Sequence, residues 1–201
     1  MTTPPNEALG GRLPLFEPTH LTEAQRALFD RLKATWITYA DKTGVQATTE
    51  DGRLIGPFNP FLLHPEVTEK LSAFQVAEAA NTTLPPRARE VVVIITGAIW
   101  QADYELYAQL NVAKKTGLST TAIAALATGE IPEDLTDPEK IAARVARDLM
   151  TRHRIDEDLY HEAEQAFGPV GLFDLTAVMG VYQTVCSMLA LFEVPAPNRD
   201  G

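Results

Sequence analysis

Apolar positions along the chain recur at helical spacing and lay out a series of helices. After the capping-box pattern Thr22-Glu-Ala-Gln25, Leu28, Leu32, Trp36 and Tyr39 predict a first helix over about 23–40. Val67, Leu71, Phe74, Val76 and Ala77 carry a second from Pro65 to about Ala80. Pro85 and Pro86 suit the opening turn of a third. Beyond Glu90, every residue to Trp100 except Thr96 is apolar or glycine, and a helix apolar all round must be buried on all sides. This stretch is therefore the expected central helix. A strand competes over Val91–Ile95, where every residue is β-branched. Helix is preferred because no strand partner or hairpin turn lies nearby and the remaining pattern is helical.

Asp103 reads as the N-cap of a helix over 104–116, stopped by Gly117. A short helix follows Ser119 and ends near Gly129. Asp137-Pro138 reads as cap and first turn of a helix to about Thr151. The next runs from Asp156 to Gly168, and the last from Val170 through Met179, Val185 and Leu189 to Phe192. Seven or eight helices and no confident strand make the class all-α. Residues 1–20 hold four prolines and Gly10-Gly11, which predicts an extended arm. Residues 46–56, with Asp51-Gly52, read as a loop or at most a short hairpin. A single domain over 21–195 then ends at Pro195 and Pro197, leaving 196–201 as a tail.

Between loop and second helix lies Gly56-Pro-Phe-Asn-Pro-Phe-Leu-Leu-His64-Pro65. Such a proline-punctuated aromatic segment can line a pocket, with Phe58 and Asn59 as contacts. Equally, Phe58 and Phe61 can simply plug the core. His64 precedes Pro65, so it is expected as a helix cap and also as a candidate substrate contact.

Composition narrows the function classes. A chain of 201 residues with 45% hydrophobic residues suffices for one sizeable core. With 27 acidic against 17 basic residues the net charge is −10, and no basic face gathers the cations, so neither nucleic acid nor an anionic membrane is an expected partner. One cysteine, Cys186, allows no internal disulfide; the N-terminus resembles no secretory signal, and a cytoplasmic location is expected. The apolar runs at 91–100 and 184–192 fall short of the ~20 residues that cross a bilayer.

Candidate chemistry centres on Glu90 and Glu105. In one unbroken helix fifteen residues would part them by ~22 Å. A break between 97 and 103, at Gly97 and the Asp103 cap, lets both reach one cavity with Tyr104 and Gln109. A carboxylate beside the apolar run 91–100 is partly desolvated, which raises its pKa toward the range of acid–base catalysis. The plainer account, favoured on spacing alone, pairs Glu90 with Arg87 or Arg89 and leaves Glu105 at the positive end of its helix. The histidines His20, His64, His153 and His161 have no metal-ligand spacing, and no glycine-rich phosphate loop occurs.

Gly56-Pro-Phe-Asn, Leu84-Pro-Pro-Arg-x-Arg-Glu90, Tyr104-Glu105-Leu106 and Lys114-x-Thr-Gly117-Leu-Ser119 together resemble the carboxymuconolactone decarboxylase and alkylhydroperoxidase D superfamily. Phe167-Gly-x-x-Gly-Leu-x-Asp-Leu-Thr176 through Phe192-Glu-Val-Pro195 is similar to its longer members. The resemblance implies an alkylhydroperoxidase D-like helical bundle, a trimer or hexamer, a site near a subunit contact, and no metal or organic cofactor. Peroxidase members carry E-x11-C-x-H-C-x3-H. Here Glu90 survives, while Ala102, Tyr104, Glu105 and Gln109 stand at the cysteine and histidine positions, so thiol peroxide chemistry has no thiols to run on. The decarboxylase branch often reads His-Glu-x-x-x-His, against Tyr104-Glu105-x-x-x-Gln109 here.

The expected function is thus a cofactor-independent lyase or isomerase for a small carbonyl, lactone or carboxylic compound. Glu90 and Glu105 would transfer protons, and Gln109 and Tyr104 would donate hydrogen bonds to a developing enolate. Phe58, Asn59, Trp100, Tyr107 and His64 would contact substrate. A non-catalytic small-molecule-binding oligomer is the alternative, and an alkylhydroperoxidase-type antioxidant enzyme the third reading.

Overall fold

The computed structural model describes residues 7–197. The first six residues of the predicted arm and the last four of the predicted tail lie outside the described residues. The remainder is all-helical, and the described residues hold no strand, only an isolated antiparallel bridge between Thr48 and Leu54 that closes a short turn at Gly52 in the predicted loop.

The helices are α1 Glu23–Leu32, α2 Thr38–Thr43, α3 Phe58–Phe61, α4 Pro65–Asn81, α5 Pro86–Trp100, α6 Asp103–Val112, α7 Thr120–Ala127, α8 Asp137–Arg152 and α9 Glu157–Leu191. A π-turn over Lys33–Ile37 joins α1 to α2, and a 3₁₀ turn over Ala113–Thr116 extends α6. The capping box at Thr22 forms as its sequence predicts, with Thr22 and Gln25 bonding each other's backbone. Two predicted caps shift by one residue. Thr136, not Asp137, caps α8 through a box with Glu139, which leaves Asp137 and Pro138 in the first turn. Ala102, not Asp103, occupies the cap of α6 and offers no side-chain bond.

Helix α5 is the centre, as its apolar run predicts. Val91 through Ile95 are at most 1% exposed, and α7, α8 and α9 pack around them. A second cluster gathers α1, α2, the hairpin, Phe61, Leu62, Tyr104 and the far half of α9. Helix α9 is long and apolar enough to cross a membrane by length and composition, although neither separate run of the sequence reaches that length. Its chain is broken at Gly168, where φ is 65° ahead of Pro169, and Leu175, Val178, Val185 and Leu189 are buried in the two clusters. The break falls where the sequence separates two helices.

The described part of the arm lies against the body. Leu15 is buried, Asn59 accepts from the Phe16 N–H at 3.0 Å and donates to the Pro14 carbonyl at 3.3 Å, and the Arg12 N–H donates to the Phe192 carbonyl.

Candidate active site

The chain reverses between α5 and α6 within two residues. Gln101 takes a left-handed conformation, with φ 49°, and the Ala102 N–H returns to the Gly97 carbonyl at 3.0 Å. Gly97 is not itself the break: it stays helical, and a Cβ there would lie 3.1 Å from Leu106 Cδ2, so its role is the close approach of α6. The reversal folds Glu105 back toward Glu90.

Both carboxylates line one cavity of about 410 Å³. Its wall is made of helical faces at three- and four-residue spacing: Pro86, Arg89 and Glu90 on α5; Tyr104, Glu105, Ala108, Gln109 and Val112 on α6; Tyr182 and Val185 on α9. Trp36, Tyr39, Ala40 and Thr43 come from the π-turn and α2, Phe58 and Phe61 from α3, and Gln75 and Ala79 from α4. Most of this wall is apolar, so the polar groups in it are few and matter individually.

Among the described residues Glu90 has no ion-pair partner, against the plainer account. Arg87 instead binds Glu139 through Nε at 2.7 Å and the Gly117 carbonyl through Nη1 at 2.9 Å. Arg89 binds Glu78 through Nε at 2.9 Å and through Nη2, with the Tyr182 ring 5.7 Å from its guanidinium carbon. Glu90 is 5% exposed and its Oε1 has no hydrogen-bond partner. Burial pushes its carboxyl up to about 7; the nearby Arg89 charge opposes that rise and Glu105 adds to it.

Glu105 is also buried, and burial raises its pKa while a hydrogen bond from Gln109 opposes the rise. That bond runs from Gln109 Nε2 to Glu105 Oε1 at 2.6 Å, one helical turn apart, and leaves Gln109 Oε1 buried without a partner. Tyr104 reaches the cavity with its ring, but its hydroxyl donates to the Gln46 carbonyl at 2.7 Å and so is not free to serve an enolate. Burial raises the Tyr104 pKa further.

The predicted substrate contacts divide. Phe58 lines the cavity, edge-on to Phe61 with ring centroids 6.2 Å apart. Asn59 does not; it clamps the arm through Phe16 and Pro14. Trp100 sits ten residues along α5 from Glu90, ~15 Å up the axis, and takes no part in the wall. Tyr107 backs Tyr104, with centroids 5.8 Å apart, and its hydroxyl accepts from the Gln46 N–H. His64 occupies the cap position of α4, but its side chain caps nothing and turns outward beside Glu66 at 3.3 Å. Arg89, Glu78 and Tyr182 were not among the sequence candidates for the site.

Among the described residues, no group of three or more histidine, cysteine, aspartate or glutamate side chains is placed to hold a metal. Cys186 is fully buried, and burial pushes its thiol pKa up, away from the thiolate.

The fold has a solved counterpart. A crystal structure described as the alkylhydroperoxidase AhpD core, an uncharacterized peroxidase-related protein from Ralstonia eutropha JMP134, superposes with a TM-score of 0.73 over 94% of this chain and 93% of that one. The fold is alkylhydroperoxidase D-like. Sequence identity over that alkylhydroperoxidase D-like match is 16%, so the likeness is one of fold. The sequence matches no family model and no curated protein.

Proposed function

We propose that this protein is a cofactor-independent lyase or isomerase that moves protons on a small carbonyl, lactone or carboxylic compound. The reading is carried by Glu90: a buried carboxyl near pH 7, unpartnered at Oε1, on the wall of a mostly apolar cavity. A group with that pKa is present in both protonation states near neutrality, which suits it to take a proton and return it.

Ionised Glu90 removes a proton from the carbon beside the carbonyl. The C–H electron pair forms a C=C bond and the carbonyl π pair moves onto oxygen, giving an enolate and a neutral Glu90. Isomerisation follows when the proton returns at a different carbon. With a β-carboxylate in the substrate, loss of CO₂ yields the same enolate and Glu90 supplies the proton that quenches it. Glu105 is the second proton-transfer group. The Tyr104 hydroxyl and one N–H of Gln109 already donate within the protein, which leaves Arg89, a fixed cation in the same wall, as the main group to stabilise the enolate charge.

A non-catalytic binding protein is the second reading, supported by Gln109, a non-titrating amide that offers Glu105 no proton relay. Thiol peroxide reduction is disfavoured by the single buried Cys186. Self-assembly is also proposed: Val67, Phe74 and Val76 on α4 and Val170, Phe173 and Leu191 on α9 leave large apolar side chains exposed.

The test is deuterium incorporation next to the carbonyl of small ketones, lactones and keto acids in D₂O, followed by NMR. Incorporation by the native protein and its loss in a folded Glu90→Gln variant are expected. Full activity of that variant sinks the reading.

A further inference from the structure

Three hydroxyls in the cavity lining already donate inside the protein. Thr43 Oγ1 donates to the Ala40 carbonyl at 2.8 Å, Thr116 Oγ1 to the Ala113 carbonyl at 2.7 Å, and the Tyr104 hydroxyl to the Gln46 carbonyl at 2.7 Å. Three buried side-chain polar atoms among the described residues lack a partner: Glu90 Oε1, Gln109 Oε1 and Trp100 Nε1. Trp100 lies outside the cavity, whereas Glu90 and Gln109 both face it. The two buried atoms of the lining that have no partner at all are therefore both oxygens.

The orientation of the Gln109 amide follows from its neighbour. The amide nitrogen donates to Glu105 Oε1 at 2.6 Å, and the amide oxygen is left buried with no partner in a residue of the cavity lining. Gln109 is 7% exposed, and a buried amide oxygen without a donor carries a desolvation penalty that a suitable ligand would remove. Lactone, ether and ketone oxygens are acceptors too; set against Gln109 they leave the penalty in place. A hydroxyl, enol or N–H relieves it.

We infer that the cavity selects a small, mainly apolar compound that carries a hydrogen-bond donor beside its carbonyl, a hydroxy-carbonyl or its N–H analogue, with Gln109 Oε1 receiving that donor. The inference rests on the proposed reading of the site for the carbonyl and adds Gln109 as the residue that determines specificity. Glu90, when ionised, is the second acceptor, and the half-buried Gln75 amide on the α4 wall is placed to meet the ligand from another side. Recognition by Gln109 makes and breaks no covalent bond.

The probes are matched pairs of six- to ten-carbon cyclic and aryl ketones bearing either a hydroxyl or a methoxyl next to the carbonyl, such as 2-hydroxycyclohexanone and 2-methoxycyclohexanone. Their binding to the full chain is measured by calorimetry at pH 8.5. One recovered neutral hydrogen bond predicts about tenfold tighter binding of the hydroxyl member by the native protein. In Gln109→Met, which keeps the side-chain length and removes the acceptor, that preference should disappear. Equal affinity within the pairs, a preference that persists in Gln109→Met, or no binding of any hydroxylated member at millimolar concentration overturns the inference. The comparison within the native protein decides by itself if the variant does not fold. Calorimetry reads binding with or without turnover. An intact hydroxyl preference without deuterium incorporation sinks the catalytic reading alone, and incorporation without the preference sinks this inference alone.

Discussion

Arg89 binds Glu78, one helix away, and not Glu90, its neighbour in the chain. Adjacent residues on a helix point about 100° apart, so Arg89 and Glu90 cannot face each other, whereas α4 presents Glu78 directly to the guanidinium. The result is a buried pair, with the Glu78 side chain 1% exposed, standing beside an uncompensated carboxyl in the cavity wall. Arg89 still acts on Glu90 through its charge and holds the Glu90 pKa lower than burial alone would.

Removing that charge should therefore raise the Glu90 pKa above about 7. Replacing Arg89 alone strands Glu78, at a cost of about 3–5 kcal/mol for a broken buried pair. The double variant Glu78→Gln/Arg89→Met avoids the stranded charge. It should slow deuterium incorporation and move the Glu90 titration, followed by carbon NMR, to higher pH; an unshifted titration would show that Arg89 does not act on Glu90.

Glu90 also makes stability depend on pH. In the native state it keeps its proton up to about 7, while the unfolded chain releases it near 4.5. Between those values the native state binds more protons, so its contribution falls as pH rises, and the loss levels off above 7. A rise from 4.5 to about 7 corresponds to roughly 3 kcal/mol. Glu90→Gln should melt like the native protein near pH 4.5 and about 6–12 °C higher at pH 8. A Tm difference independent of pH contradicts the burial of this carboxyl.

Gly56 fixes the Tyr104 side of the site. Its φ is +62°, and an added Cβ would lie 2.2 Å from Tyr104 Cζ. Gly56→Ala combines a left-handed alanine with a clash against a buried ring, and should cost about 2–4 kcal/mol in chemical denaturation. A cost under 0.5 kcal/mol would mean that the ring packs elsewhere.

Cys186 offers a check on the core. Being fully buried with a raised thiol pKa, it should resist 5,5′-dithiobis(2-nitrobenzoate) in the native protein and react once per chain in guanidinium chloride. Rapid native labelling would place the thiol at the surface. Cys186→Ala should likewise leave deuterium incorporation unchanged.

The helices and a break between α5 and α6 were legible because each follows from local periodicity and turn chemistry, whereas spacing alone favoured separate pairings for Glu90 and Glu105 over a shared cavity. The 3.6-residue repeat sets which face Glu105 and Gln109 share, and the all-apolar run makes α5 central. What stayed hidden is long-range. Glu78 and Tyr182 sit in unrelated helices, and no local pattern says that both meet Arg89. Trp100 is close to Glu90 in sequence, yet ten helical residues carry it away from the cavity. Asn59 and Tyr107 have the right chemistry for a site, but their polar atoms are engaged in holding the arm and the hairpin.

The most direct test is a side-chain titration of Glu90 by carbon NMR of glutamate-labelled protein, assigned by loss of one signal in Glu90→Gln. Burial at the cavity wall predicts an inflection at about 7, well separated from the exposed glutamates. An inflection between 4 and 5 would show an ordinary solvated carboxylate and contradict a proton-transfer role for Glu90.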